Sequence, residues 1–366
     1  MSIFSRLLYR EILIPLLFSF IAISLVLLLG RILPLTGLFI RSGVTPVELL
    51  KFIIILIPTF LLFVLPLATL LGVCLAIIRM NRDNEIIAIF ACGINPKRLL
   101  FPIIVVGVFA WFFTFLTAAF LLPKAKTFAH KFIYQMTTQR LIKGIPALTF
   151  YSPIKGLTIF VNKSRSHGTR LYGVFLRDAR TPDNTCNIFA ERGRLLNLKD
   201  GTGIILDLFD GTVHRASIMK DQSSIIKFGS YILKLKISKP VQGRSRGEMG
   251  LSELLYRSKL PDQTPKQRRR LLIEFNKRLA LPLGAFILGL LGAPLGIRFG
   301  RSGIAGGVAL GISAFVIYYL ILVMGQNLSE VGVLPAWIGL WIPDFVFAVI
   351  TWFSWYKIFD KGLMFL

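Results

Sequence analysis

Acidic residues are scarce in this chain. Its 366 residues include 18 Asp and Glu against 43 Lys and Arg, a formal net charge of +25. Histidine and cysteine are scarcer, with three of each. His130, His167 and His214 are scattered, and Cys74, Cys92 and Cys186 stand far apart. No metal-ligand spacing results, and no disulfide framework is expected. No G-x-x-x-x-G-K-S/T occurs, so the glycine-rich stretch 300–311 is no P-loop and the chain has none of its own. Ser152 and Ser164 sit in no nucleophile elbow. These absences argue against an enzyme, a metalloprotein and a disulfide scaffold, and no cofactor is expected.

Apolar residues are abundant, at 54% of the chain. Runs at 12–30, 52–78, 99–122, 279–297, 304–324 and 334–355 approach or exceed the length of ~20 residues that crosses a bilayer as helix. The first run is longer than a signal-peptide core of about 7–15 residues and no small-x-small site follows it, so it reads as a span. In a membrane protein, excess positive charge is first a statement about sidedness rather than nucleic acid. With residue 1 inside, the short inner segments hold ten Lys and Arg and the outer ones only Arg31, Arg41 and Lys51. That asymmetry places both termini and the 79–98 loop in the cytoplasm.

Between the third and fourth runs the pattern changes. Stretches 157–162, 171–176, 186–190, 194–198, 203–209, 212–217 and 224–237 read as short strands, punctuated by pairs such as Asp200-Gly201 and Asp210-Gly211. Seven short strands predict a sandwich or jelly roll. Residues 124–270 hold 28 Lys and Arg against 10 Asp and Glu. That charge is either a trait of a basic lineage or a surface for an anionic amphiphile or anionic headgroups. Thr264-Pro265 reads as the N-cap and first residue of the helix that re-enters the membrane. The expected fold is a polytopic α-helical membrane protein with six transmembrane helices and an inserted extracytoplasmic β-jelly-roll domain. Its parts are 1–122, with spans one to three; 123–263, the β domain with linkers; and 264–366, with spans four to six.

The stretch Arg79–Arg98 carries a short helix over 83–93 between two spans. Asp83 is a suitable N-cap, Glu85 complements the positive end of the dipole, Gly93 suits a left-handed closing residue, and Pro96 stops continuation. Ile86, Ile89, Phe90 and Gly93 share one side. Such a helix lies on the bilayer, docks into a protein groove, or merely tidies the loop. A surface helix prefers a Lys/Arg-rich polar face, whereas this helix carries only acids within it, so docking is favoured. Gly303, Gly307 and Gly311 recur every four residues, a smooth stripe for packing within the chain or against another subunit. Asp344 follows Pro343 inside the sixth run. It is either functional or a partner for backbone groups that the proline frees, and the second is favoured. Glu274 and Arg278 are spaced for an i,i+4 pair.

Glu85-Ile86-Ile87-Ala88-Ile89-Phe90-Ala91-Cys92-Gly93-Ile94 resembles the coupling helix of the LptF/LptG permeases, the membrane part of the lipopolysaccharide-export ABC transporter. Glu274 to Pro282 resembles that family's entry into span four, and Leu291-Gly292-Ala293-Pro294-Leu295-Gly296-Ile297 its exit. Glu191-Arg192-Gly193-Arg194-Leu195 followed by Asp210-Gly211-Thr212 resembles its jelly roll, and Ala91-Cys92-Gly93 leans towards LptF. The resemblance implies a multi-pass subunit of the bacterial inner membrane with a periplasmic domain. It implies an LptG-like second permease chain, an LptB-like ATPase dimer that binds the ATP, an LptC-like periplasmic partner, and lipopolysaccharide as cargo. Asp83, Glu85, Ile86, Ile89, Phe90 and Gly93 then become ATPase-coupling residues. Arg31, near the outer end of span one, falls on a basic position facing the substrate cavity, where a guanidinium grips phosphate; the other reading is a snorkelling anchor. Three further readings stand beside transport: a mechanotransmission subunit that moves no lipid, a membrane-anchored periplasmic binding or scaffold protein, and a membrane-bound enzyme.

Overall fold

The computed structural model describes residues 3–42, 46–93, 97–143, 147–148, 150–154, 156–165, 169–179, 185–197, 203–217, 222–236, 245–299 and 303–361. The chain divides into two compact units, residues 1–129 with 244–366 and residues 130–243. Residues 123–129 and 244–263, read from the sequence as edges of the β domain, therefore belong to the helical unit.

In order, the helices are α1 (Ile3–Ser42), α2 (Pro46–Arg82), α3 (Glu85–Ala91), α4 (Lys97–Leu116), α5 (Leu122–Lys143), α6 (Leu251–Ser258), α7 (Pro265–Phe299), α8 (Gly303–Val331) and α9 (Ala336–Lys361). Among the described residues, six helical stretches are long and apolar enough to cross a bilayer: Arg6–Gly30, Leu50–Arg82, Arg98–Phe132, Pro265–Arg298, Gly303–Val331 and Ala336–Asp360. The third runs from α4 into α5 through a π-turn at Thr117–Leu121, a widening that the apolar pattern does not reveal. The protein is thus a polytopic helical membrane protein with an inserted β domain.

α2 and α7 are the most buried spans. Glycine explains their closeness. A Cβ on Gly292 would lie 2.7 Å from the Leu70 carbonyl oxygen, and one on Gly296 2.8 Å from that of Cys74. In lipid, where apolar side chains gain little from leaving the solvent, such backbone contact is what dispersion can use. α7 begins with a reciprocal cap. The Gln267 N–H donates to Thr264 Oγ1 at 3.3 Å, and the Thr264 N–H donates to Gln267 Oε1 at 3.0 Å.

The second unit holds β1 (Phe150–Ile154), β2 (Leu157–Arg165), β3 (Arg170–Asp178), β4 (Thr185–Asn197), β5 (Gly203–Ser217) and β6 (Gln222–Lys236). They form one antiparallel sheet in the order β1-β2-β3-β4-β5-β6. Consecutive strands are neighbours, an up-and-down order without the crossed connections of a Greek-key jelly roll. Two pairs of expected strands are single strands. The segments 186–190 and 194–198 merge into β4, 203–209 and 212–217 merge into β5, and β1 was not expected.

The cause is a crease. Inward residues run Leu157, Ile159, Val161 on β2; Leu171 then Val174, Leu176 on β3; Ile188, Ala190 then Leu195 on β4; and Leu206, Leu208 then Val213 on β5. The two-residue alternation slips by one residue in β3, β4 and β5, at Gly173, Glu191 and Asp210. Strand pairing stays in one register across this row. Gly173 and Asp210 take φ +61° and +54°, the left-handed region that few side chains tolerate. Each strand passes through the row and keeps one face inward. A slip in period reads, in sequence, as the end of a strand.

Candidate functional site

One end of the helical unit is built around α3. The helix has seven residues, too few to be stable alone. It is held by Ile86, which is 1% exposed. Ile86 enters a cluster formed by Leu8 and Ile12 of α1, Ile77 and Met80 of α2, Leu99 and Ile103 of α4, Ile297 of α7, and Trp355 and Ile358 of α9. Ile89 packs partly buried against the same cluster. Burying an isoleucine this fully contributes roughly 1.5–3 kcal/mol. Polar contacts brace the surroundings. Arg79 pairs with Glu11 of α1 at 2.9 Å, and Asn81 Nδ2 donates to the Ile297 carbonyl at 3.2 Å.

This arrangement corrects the expected faces. Ile86 and Ile89 do not project toward a partner; they face the chain's own bundle, because a one-sided apolar helix buries its stripe against the nearest core. The outward face carries Glu85, Ile87, Ala88, Ala91 and Cys92, all exposed, with Ile87 at 38%. Asp83 is not the cap. α3 starts at Glu85, its first bond runs from the Ala88 N–H to the Asn84 carbonyl, and Asn84 has φ +58°. The Asp83 carboxylate lies 3.9 Å from Arg79 Nε and 3.7 Å from Arg82 Nε. Gly93 takes φ +75° just after the helix, where a left-handed residue ends it. The Phe90 side chain lies outside the described residues.

The other sequence candidates lie elsewhere. Arg31 is on α1, and its side chain lies outside the described residues. Gly307 and Gly311 face α2, where added Cβ atoms would collide with Ile78 and Leu71. Gly303 meets nothing within 4 Å and has φ +75° at the start of α8, so it contributes a turn and not a contact. Among the described residues no three His, Cys, Asp or Glu converge as a metal site.

Two buried polar groups were only half legible. Asp344 is 2% exposed, and Tyr318 of α8 donates its hydroxyl to Asp344 Oδ1 at 2.9 Å. Asp344 Oδ2 has no partner among the described residues. The hydrogen bond that Asp344 makes is therefore to a side chain on α8, not to backbone freed by Pro343. Gly284 of α7 leaves the room, since a Cβ there would strike the Tyr318 hydroxyl.

Arg278, 2% exposed, is the most voluminous fully buried side chain among the described residues. It pairs with Glu274 at 3.0 Å, as its spacing predicts. It also donates to the carbonyls of Met249 at 2.6 Å, Gly247 at 3.1 Å and Arg246 at 3.2 Å. Lys126 Nζ lies 4.0 Å from Glu274. The chain leaves this unit just after Lys126 and returns just before Arg246. One buried guanidinium and its carboxylate therefore hold both crossings to α7.

The bundle, the platform under α3 and the inserted sheet set the frame for comparison. The family model for the lipopolysaccharide export system permease LptF/LptG matches residues 6–357. The chain belongs to the LptF/LptG family. The match spans nearly all of it, and the model covers LptF and LptG alike. An uncharacterized protein of Rickettsia prowazekii (strain Madrid E), RP871, is 22% identical over 305 residues, covering 82% of this chain and 83% of that one. Membership in the LptF/LptG family gives the protein a general role as a lipopolysaccharide-export permease, working within a transporter complex.

Proposed function

We propose that this LptF/LptG-family chain is the non-catalytic membrane subunit of an inner-membrane ABC transporter that extracts lipopolysaccharide and passes it to a periplasmic bridge. An LptB-like ATPase dimer binds and hydrolyses the ATP, an LptG-like chain completes the membrane pore, and an LptC-like partner joins the β domain. The observation that carries this reading is α3. It is anchored by Ile86 into residues from five spans and offers Glu85, Ile87 and Ala88 outward. A push on that face bears on a cluster to which α1, α2, α4, α7 and α9 all contribute side chains.

Three further features fit. The ten-to-three charge asymmetry orients α3 to the cytoplasm and the β domain to the periplasm. Among the described residues β6 is an edge strand with Ile225, Ile226 and Ile232 exposed; an unpaired edge is open to strand addition by a partner. Arg31, near the outer end of span one, is assigned to a lipid phosphate of the cargo.

Glu85→Lys tests the reading. The substitution reverses a charge on the outward face and leaves Ile86 in place. It is expected to reduce co-purification of the ATPase or to uncouple hydrolysis from lipopolysaccharide release, with the melting temperature of the membrane subunit unchanged. Normal ATPase retention together with normal release would refute the docking role.

A further inference from the structure

A crevice opens among α7, α8 and α9 at the same end of the bundle as α3. Its volume is about 340 Å³, within the range of roughly 300–1,000 Å³ found for ligand pockets. Its inner wall is apolar, with Leu291 and Leu295 of α7, Ala314 and Ile321 of α8, and Val346 and Ile350 of α9. Its polar lining is confined to three residues, Arg298, Ser354 and Lys357. The Ser354 hydroxyl donates to the Ile350 carbonyl, and Arg298 and Lys357 are the cations of the lining. Lys357 Nζ sits 4.5 Å above the centre of the Phe353 ring, so its ammonium is held at the rim by a cation–π contact.

The depth matches one leaflet. On α9 the crevice runs from Lys357 to Val346, about 16 Å at 1.5 Å of rise per residue. Half of the hydrocarbon core is roughly 15 Å. An apolar slot of that depth, open at the membrane surface between two cations, has the shape and charge of a site for one acyl chain with an anionic head above it. A passing transmembrane helix would need a groove continuing through both leaflets, and its flank carries no phosphate for Arg298 and Lys357.

We infer that this crevice binds an anionic glycerophospholipid from the leaflet on the α3 side, with an acyl chain against Leu295, Ile321 and Ile350 and the phosphate between Arg298 and Lys357. The site is separate from the cavity assigned to Arg31, which lies near the opposite end of its span. The lipid would wedge the three helices at the level of Trp355 and Ile358, which belong to the cluster holding α3. It is thus placed to stiffen the platform beneath the docking helix.

Native mass spectrometry of the purified full transporter, titrated with phosphatidylglycerol or with phosphatidylcholine of the same chains, tests this. Wild type is expected to retain phosphatidylglycerol in preference to phosphatidylcholine. Arg298→Gln with Lys357→Gln should weaken phosphatidylglycerol binding ~30-fold, from about 1 kcal/mol per basic residue at a membrane surface. Ile350→Trp, which fills the slot from its lipid-exposed side and leaves both cations, should also remove the retained lipid. Equal retention of the two lipids by wild type would overturn the assignment. So would undiminished phosphatidylglycerol binding by the double variant. A crosslink from position 350 to a protein partner in place of lipid would assign the crevice to an interface and refute the lipid.

Discussion

Removing the Arg278 side chain should loosen the return from the β domain more than it unfolds the bundle. Arg278→Ala leaves the Met249, Gly247 and Arg246 carbonyls without their donor and Glu274 without its closest cation. Arg278 is 2% exposed and the Glu274 side chain 21%, so solvent replaces little of what is lost. Breaking a buried pair by deleting one partner costs about 3–5 kcal/mol. Spent locally, that raises the undocked population of 245–258 by roughly two to four orders of magnitude. α6 should follow, because Met249 and Leu254 pack with Leu271 of α7 in one small cluster. Arg278→Lys keeps the charge but not the planar fork that reaches three carbonyls and a carboxylate, so it should recover only part of the loss. Hydrogen exchange of the amides in 245–258, read against those of α2 and α7 in the same sample, measures the effect. Exchange of that segment within about threefold of wild type in Arg278→Ala would refute the clasp, since the 3–5 kcal/mol scale requires far more.

Other outcomes follow from single contacts. Gly296→Val should push α2 from α7, because a Cβ there meets the Cys74 carbonyl and Ile77; overpacking of about 1–3 kcal/mol or more should appear as a lower melting temperature in detergent. Gly30→Ala, where a Cβ meets nothing within 4 Å, is the matched control and should melt as wild type. Tyr318→Phe should destabilise by about 1–3 kcal/mol by stranding Asp344, and adding Asp344→Leu should restore much of that, since replacing both partners removes the unpaired group. A double variant less stable than Tyr318→Phe would show that Asp344 has another stabilising partner.

The spans were legible because their cause is one-dimensional: a run of about 20 apolar residues is both the signal and the structure. The Thr264-Pro265 start of α7 was legible because a cap is local. The inserted sheet was legible in its alternation and misread at its crease. Asp210-Gly211 and Glu191-Arg192-Gly193 have turn composition, but they lie within β5 and β4. Periodicity placed Ile86 and Ile89 on one side of α3 and could not say whether that side meets a partner or the chain's own Ile77 and Trp355, which lie far away in sequence. Arg278 shows the same limit. Its pair with Glu274 is four residues away, while its carbonyl partners are about thirty away. Asp344 stands out in the sequence as an acid inside the sixth apolar run, with Pro343 as the local explanation, and its bonded partner is Tyr318 on another helix.

The central claim is that α3 turns an outward face of Glu85, Ile87 and Ala88 to an ATPase while Ile86 faces the bundle. Photo-crosslinking residues placed singly at 86, 87 and 88 in the full transporter test it most directly. Positions 87 and 88 should give adducts with the ATPase subunit, and position 86 should give adducts only within its own chain. Adducts with the ATPase from 86 but not from 87 or 88 would contradict the account, as would lipid adducts alone from 87 and 88, which would make α3 a bilayer-surface helix.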